Sequence, residues 1–332
     1  MIKIGVVGVG HLGQHHARKL MEMGNVSFSG IYDKNSRRSK EIASKLGTTE
    51  FDSYEALLDS CDAIDIAATT TSHFELAEKA LLAGKHIFLE KPITEKLEDA
   101  YKLLEIAEKK NLKIQVGHIE RFNPVVLKVE KDIKNPMFIE STRIAEFQRR
   151  GTDVPVVLDV MIHDIDLILS FIDSPIKEIH ASGIGIVTPS IDIANARLEF
   201  ENGAIANVTS SRISLKHERK IRFFQKDAYI TLNFLTKQAK VIKKGAKAML
   251  YLPQILKGDM DLDPGKLLDQ TQYDCTDSPK DALSMELESW VDAIIMDKSP
   301  IVDGKAGTKA LEVAHRIIKI INEQVKKNKL KV

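Results

Sequence analysis

The opening segment, MIKIGVVGVGHLGQHHA, restricts the fold of this chain more than any other stretch. A short, β-branched apolar run from Ile2 to Gly8 meets Gly8, Gly10 and Gly13, and helix-forming residues follow over 12–23. Such a run is what a central strand covered on both faces requires. In a G-x-G-x-x-G pattern between strand and helix, the first glycine permits a tight turn and the second admits an anion to the backbone. The third lets the helix pack closely on the strand, and amides at the helix start face the anion. Gly8, Gly10, His11, Leu12 and Gly13 therefore form a candidate pyrophosphate cradle. Asp33 ends the next strand-like run, VSFSGIYD, at the distance where a carboxylate accepts hydrogen bonds from an adenosine ribose. That placement favours NAD over NADP, because a 2′-phosphate would face a like charge. Arg37 and Arg38 follow closely and could hold such a phosphate or stack on adenine; the alternative is a solvated helix start.

Alternation continues downstream. Helical patterns at 35–46, 72–83 and 95–110 are interleaved with strand-like runs at CDAIDIAAT, 85–89 and LKIQVG. Short connections between alternating elements predict an α/β domain, a doubly wound parallel sheet of right-handed βαβ units. After RFNP the pattern changes. A helical segment at 125–133 precedes strand-like segments at 137–148, 176–187, 192–200, 203–213, 219–226 and 228–235, interrupted by one helical pattern at 155–172. Asn-Gly within FENGAI is a strong hairpin signal. The expected division is a Rossmann domain over 1–121 and an α+β domain over 122–332 with a largely antiparallel open sheet. Two closing helices carry apolar residues at 283, 287, 290, 291 and 294, and at 311, 314, 317, 318 and 321, spaced to cover a core. The last of them is expected to pack back on the first domain. The loop 253–280 reads as the most irregular region.

Composition removes several classes of function. Lysine and arginine number 48 against 47 acids, which gives no field to attract nucleic acid or an anionic membrane. Two cysteines, Cys61 and Cys275, make no disulfide framework, and a reducing cytoplasm is the simplest setting. No signal-peptide pattern and no apolar run of membrane-spanning length is visible. His11, His15 and His16 crowd one helix, but no neighbouring carboxylate or cysteine in sequence completes a ligand set, so no metal is expected.

Two clusters carry candidate chemistry. HIFLEKPIT places Glu90 and Lys91 at the carboxyl end of the fourth strand, ahead of Pro92. Ligands of open α/β sheets collect outside those strand ends, so Lys91 is placed to meet substrate. The Lys-Pro bond admits either isomer. VLDVMIHDIDLILSF holds Asp159 and His163 four residues apart, on one helix face, where the carboxylate can orient the imidazole for acid–base work. Asp166 is a further possible partner of His163, and Asp164 points elsewhere. The alternative is a polar helix face.

GVGHLGQHHA, YDKNSRR, DIAATTTSHFELAEKALLAGKHIFLEKPI, VGHIERFNP and LDVMIHDIDL together resemble the Gfo/Idh/MocA oxidoreductases along essentially the whole chain. The resemblance implies that Lys91, Asp159 and His163 are catalytic, and that Thr69, Thr70, His73 and Glu90, with Arg38, approach the cofactor. ATTT stands where many relatives read Ala-Thr-Pro, a departure in that loop. It further implies oxidation of a sugar secondary alcohol: His163 takes the hydroxyl proton, Lys91 donates to the same oxygen, and Asp159 fixes the imidazole. Lys91 and His163 could exchange roles as base. A homodimer or homotetramer is expected.

For substrate, VGHIERFNP and IDSPIKEIHASG resemble the members of the family that act on nucleotide sugars, which implies such a substrate here. A diphosphate needs cations, and Arg121, Arg143, Arg149, Arg150 and Arg212 are available, Arg121 favoured with Asn123 beside it in the motif. An inositol or free-sugar dehydrogenase and a non-catalytic dinucleotide-sensing regulator are the alternatives.

Overall fold

The computed structural model describes residues 1–147, 154–245 and 268–329. The chain divides into two compact units, Met1–Phe122 with Lys280–Val313, and Asn123–Pro279 with Ala314–Val332.

The first unit is built on a parallel sheet ordered β2-β1-β3-β4-β5, with β1 Ile2–Val7, β2 Val26–Tyr32, β3 Ala63–Ile66, β4 His86–Glu90 and β5 Ile114–Gly117. Helices α1 (Gly13–Met21), α2 (Ser36–Leu46), α3 (Tyr54–Asp59), α4 (Thr70–Leu82) and α5 (Leu97–Lys110) connect them. All four residues of β3 and of β5 are buried, as a strand with helices on both faces must be. Asn35 caps α2 by accepting the amide of Arg38, and Gly47 at φ +66° ends it in the left-handed conformation, the usual helix stop. Strands β2 and β3 lie on opposite sides of β1, so the chain reverses direction across the sheet at the carboxyl ends of β1 and β3, where ligands of such sheets bind. Late in the chain, α8 (Ala282–Ile295) returns to this unit. Its Trp290 is fully buried and meets Phe88 edge-on at 5.7 Å between ring centroids.

The second unit holds an eight-stranded sheet ordered β13-β12-β11-β10-β6-β9-β8-β7. The strands are β6 Phe138–Ile144, β7 Ile176–Ile184, β8 Ile193–Phe200, β9 Ile205–Ser211, β10 Glu218–Phe224, β11 Ala228–Asn233, β12 Gln238–Lys244 and β13 Leu268–Asp274. Every pairing is antiparallel except β6 with β9. Asn202–Gly203 turns the chain between β8 and β9 with Gly203 at φ +85°. The helical segment anticipated at 125–133 is shorter: α6 spans Pro124–Val129 and a 3-10 turn covers Glu130–Asp132. The pattern at 155–172 is two structures in series, a π-helical turn over Val157–Met161 and α7 over Ile162–Phe171. The last helix, α9, runs Gly304–Lys329. Among the described residues no helix is long and apolar enough to cross a membrane.

Candidate active site

The three glycines of the opening loop meet three different demands. Gly8 adopts φ +87°, and a Cβ there would lie 2.7 Å from the backbone of Ala68. At Gly13 a Cβ would lie 1.9 Å from the carbonyl oxygen of Gly8, so any side chain would lift α1 off the loop. A Cβ on Gly10 would approach nothing nearer than Arg38 Nη1 at 3.9 Å; it would occupy open space above the backbone. That space belongs to a cleft of about 490 Å³ lined by Gly8, Gly10, His11, Leu12, Tyr32, Asp33, Arg38 and Thr69, among others. Leu12 is the N-cap of α1 and offers no side-chain acceptor, and the first turn carries no acid, so the positive end of the helix dipole is open to an anion.

Asp33 is buried at the floor of this cleft. Its Oδ2 accepts the amide of Val9 at 3.0 Å and its Oδ1 the amide of Asn35 at 2.8 Å. Each oxygen retains a lone pair, and the fixed carboxylate can still accept ribose hydroxyls. The open approach to the Gly10 backbone, with a fixed acid beside it, fits a dinucleotide. Thr69 is the N-cap of α4 and reaches the cleft; Thr70 is the first residue of α4 and is half-buried.

His73 stands differently from a direct cofactor ligand. Its ring is buried, with Nδ1 2.9 Å from the Pro92 carbonyl oxygen and Nε2 3.1 Å from that of Ala68. Burial lowers its pKa, and a neutral ring donates from one nitrogen at a time. His73 therefore donates to one of these carbonyls and packs against the other, between the loop after β3 and the turn after β4. The Lys91–Pro92 bond in that turn is cis.

Glu90 is the hub of a second arrangement. Its Oε1 lies 3.2 Å from His16 Nε2, and its Oε2 accepts the Lys91 amide at 3.2 Å. On the other side of the same ring, His16 Nδ1 lies 2.9 Å from Asp65 Oδ2. Sequence reasoning missed this row because its members come from α1, β3 and β4. The buried positions of Asp65 in an apolar strand and of His16 on the inner face of α1 were the available signals.

In the second unit, Asp159 lies in the π-helical turn and His163 in the first turn of α7, both half-buried among the buried residues Leu158, Met161, Ile162 and Ile165. Widened turns of this kind recur at functional sites. Asp164 is fully buried, bound to Arg143 by Nε at 3.0 Å and Nη2 at 2.7 Å. Arg143 also lies over the Phe234 ring, 5.4 Å from its centroid. Arg212 is buried against Asp192, with Nη2 donating to the carbonyls of Ile191 and Val154. Arg143 and Arg212 are thus internal anchors, which corrects their reading as cations available to substrate. Arg121 lies in the 3-10 turn Ile119–Phe122, and Asn123 caps α6 by accepting the amide of Val125. Arg149 and Arg150 lie outside the described residues. No cluster of metal ligands occurs among the described residues.

A parallel sheet with a glycine cradle and a fixed acid at the end of β2 is the architecture of a dinucleotide-binding fold. Residues 2–118 match the oxidoreductase family NAD-binding Rossmann fold, and residues 129–231 match the GFO/IDH/MocA C-terminal domain. The chain belongs to the Gfo/Idh/MocA family. It is 32% identical over 317 residues to a UDP-N-acetylglucosamine 3-dehydrogenase of Acidithiobacillus ferrooxidans, covering 95% of this chain and 96% of that one. The solved structure of that enzyme superposes with a TM-score of 0.86 at 31% identity, over 96% of this chain and 97% of that chain. A scyllo-inositol 2-dehydrogenase (NAD(+)) of Bacillus subtilis is 27% identical, covering 94% of this chain and 92% of that one.

Proposed function

We propose that the chain oxidises the 3-hydroxyl of UDP-N-acetylglucosamine to the 3-keto nucleotide sugar, with NAD as cofactor. The observation that carries this reading is similarity over nearly the full length to an enzyme named for that reaction. When bound, the nicotinamide supplies the acceptor for the hydride on the carbinol carbon. Lys91 donates a hydrogen bond to the hydroxyl oxygen and stabilises the alkoxide character that develops there. His163 removes the hydroxyl proton, and Asp159 sets the orientation and tautomer of the imidazole. NAD is favoured over NADP by the fixed carboxylate of Asp33, although Arg38 in the same cleft would tolerate a 2′-phosphate.

A second reading, oxidation of a neutral polyol such as an inositol, is favoured by one observation: Arg143 and Arg212 are both committed to buried carboxylates. That leaves fewer cations for a diphosphate. The deciding experiment offers UDP-sugars, free sugars and inositols with NAD or NADP and follows reduced cofactor by absorbance. Turnover of inositol with none of UDP-N-acetylglucosamine would reverse the assignment. Cofactor binding with no turnover of any alcohol would leave a dinucleotide sensor.

A further inference from the structure

The row Asp65–His16–Glu90 is continuous, buried at Asp65 and His16 and partly exposed at Glu90, and no part of the mechanism above uses it. Both ring nitrogens of His16 face carboxylate oxygens, at 2.9 Å to Asp65 and 3.2 Å to Glu90. Ionised carboxylates only accept hydrogen bonds, so both contacts are satisfied together when both ring nitrogens carry protons. His16 and Asp65 are almost wholly shielded from solvent, at 1% and 0% exposure, where an unpaired charge is costly and a shared one is retained. We infer that His16 is a positioning residue, an imidazolium that keeps Glu90 ionised and fixed against the Lys91 amide. The inference rests on the reading of Lys91 as catalytic.

The surroundings of the row bear on it. Burial alone would depress the His16 pKa, yet the charges and hydrogen bonds of Asp65 and Glu90 hold it well above the ordinary histidine value. Burial would raise Glu90, but His16, with Lys91 and His73, holds it below the usual carboxylate range. Asp65 itself is pushed up by burial, with His16 opposing. Gly117, paired with Glu90 across β4 and β5, leaves room for the carboxylate: a Cβ there would lie 3.0 Å from Glu90 Oε2. Also near the row are the Phe88 ring, edge-on to His16 at 5.5 Å, and the basic residues Arg18 and Lys19 in the last turn of α1. His73 supplies the contrast. It is equally buried but faces carbonyl oxygens, and its pKa falls.

The experiment uses the full chain with uniformly ¹³C-carboxyl-labelled glutamate, the Glu90 resonance being identified by its loss in Glu90→Gln. In His16→Gln, which retains hydrogen-bonding groups without a fixed charge, the Glu90 titration midpoint rises by at least one pH unit. The acid limb of kcat for the alcohol substrate rises with it. Asp65→Asn, which leaves His16 in place, moves both in the same direction and serves if His16→Gln folds poorly. The double variant His16→Gln/Glu90→Gln turns over within threefold of Glu90→Gln, because His16 acts through Glu90. An unmoved Glu90 midpoint overturns the inference. So does a shifted midpoint with an unmoved acid limb, which would make the row structural only. Absence of turnover by the unaltered chain would instead defeat the dehydrogenase reading, and the carboxyl titration would still decide whether His16 governs Glu90.

Discussion

Asp33 Oδ2 accepts the amide of Val9 at 3.0 Å, joining the end of β2 to the glycine loop. One carboxylate therefore shapes the cradle and, in the proposed reading, also accepts the ribose hydroxyls. Asp33→Ala should weaken NADH binding by about 10–100-fold, the loss expected for one or two hydrogen bonds to a charged group. Fluorescence titration of NADH measures it, and an unchanged Kd would remove Asp33 from the site.

Gly10 and Gly13 are predicted to fail in different ways. Gly10→Ala adds a methyl to open space, so the thermal midpoint should hold while dinucleotide affinity falls at least tenfold. Gly13→Ala drives a methyl into the Gly8 carbonyl and should lower the thermal midpoint in the absence of any ligand. Calorimetry with and without NAD separates the two.

Lys91→Met should lower kcat by about 10²–10³, the range for removing one donor to a developing oxyanion. His163→Asn should be comparably slow and should flatten the pH–rate profile. Near-normal turnover in both variants would end the proposed mechanism.

Arg143→Met leaves the buried Asp164 carboxyl without its bidentate partner. Breaking one side of such a pair costs about 3–5 kcal/mol. Replacing both, as Arg143→Met/Asp164→Leu, should recover much of that loss. Urea unfolding of the three variants provides the comparison.

Asp192 accepts the amides of Ile186, Val187 and Thr188 on one oxygen and the Thr188 hydroxyl on the other. Burial would raise its pKa, but these bonds outweigh it and hold the group at about 2. A depressed carboxylate contributes stability that is complete above its unfolded pKa, near 4, and is lost as pH falls through 2. Asp192→Asn should therefore be less stable by about 2 kcal/mol above pH 5, with the gap closing toward pH 2. A gap independent of pH would contradict the assignment.

The parallel sheet was legible because each of its strands is a short buried run followed by turn residues, and the glycine loop because its steric demands are local. Helix α3 escaped notice because six residues make less than two turns, although Tyr54, Leu57 and Leu58 at helical spacing behind the Ser53 cap were the available signal. Strand β12, QAKVIKK, alternates only over Gln238–Val241 before Ile242 and two lysines break the pattern, too short a run to be distinctive, and β13, LDQTQYD, is exposed at nearly every position. Arg143 was misread although the signal was present. In β6, FIESTRI, alternate residues are buried, and period two places Arg143 on the inner face with Ile139 and Ser141. The Asp65–His16 contact joins residues 49 apart, a separation at which no spacing rule operates.

The position of β6 in the second sheet bears on assembly order. β9 and β10 follow one another in the chain, yet β6 lies between them, and residues 212–217 must bridge two strand spacings, about 10 Å. On one side stand β7, β8 and β9, on the other β10 to β13, each a ladder of sequence neighbours that can zip locally. β6 alone joins them, and its partner β9 begins 61 residues after β6 ends, from Ile144 to Ile205. Its insertion should therefore be the slow, topologically demanding event in folding this unit. Destabilising substitutions in β6 should retard refolding more than equal destabilisation within either ladder.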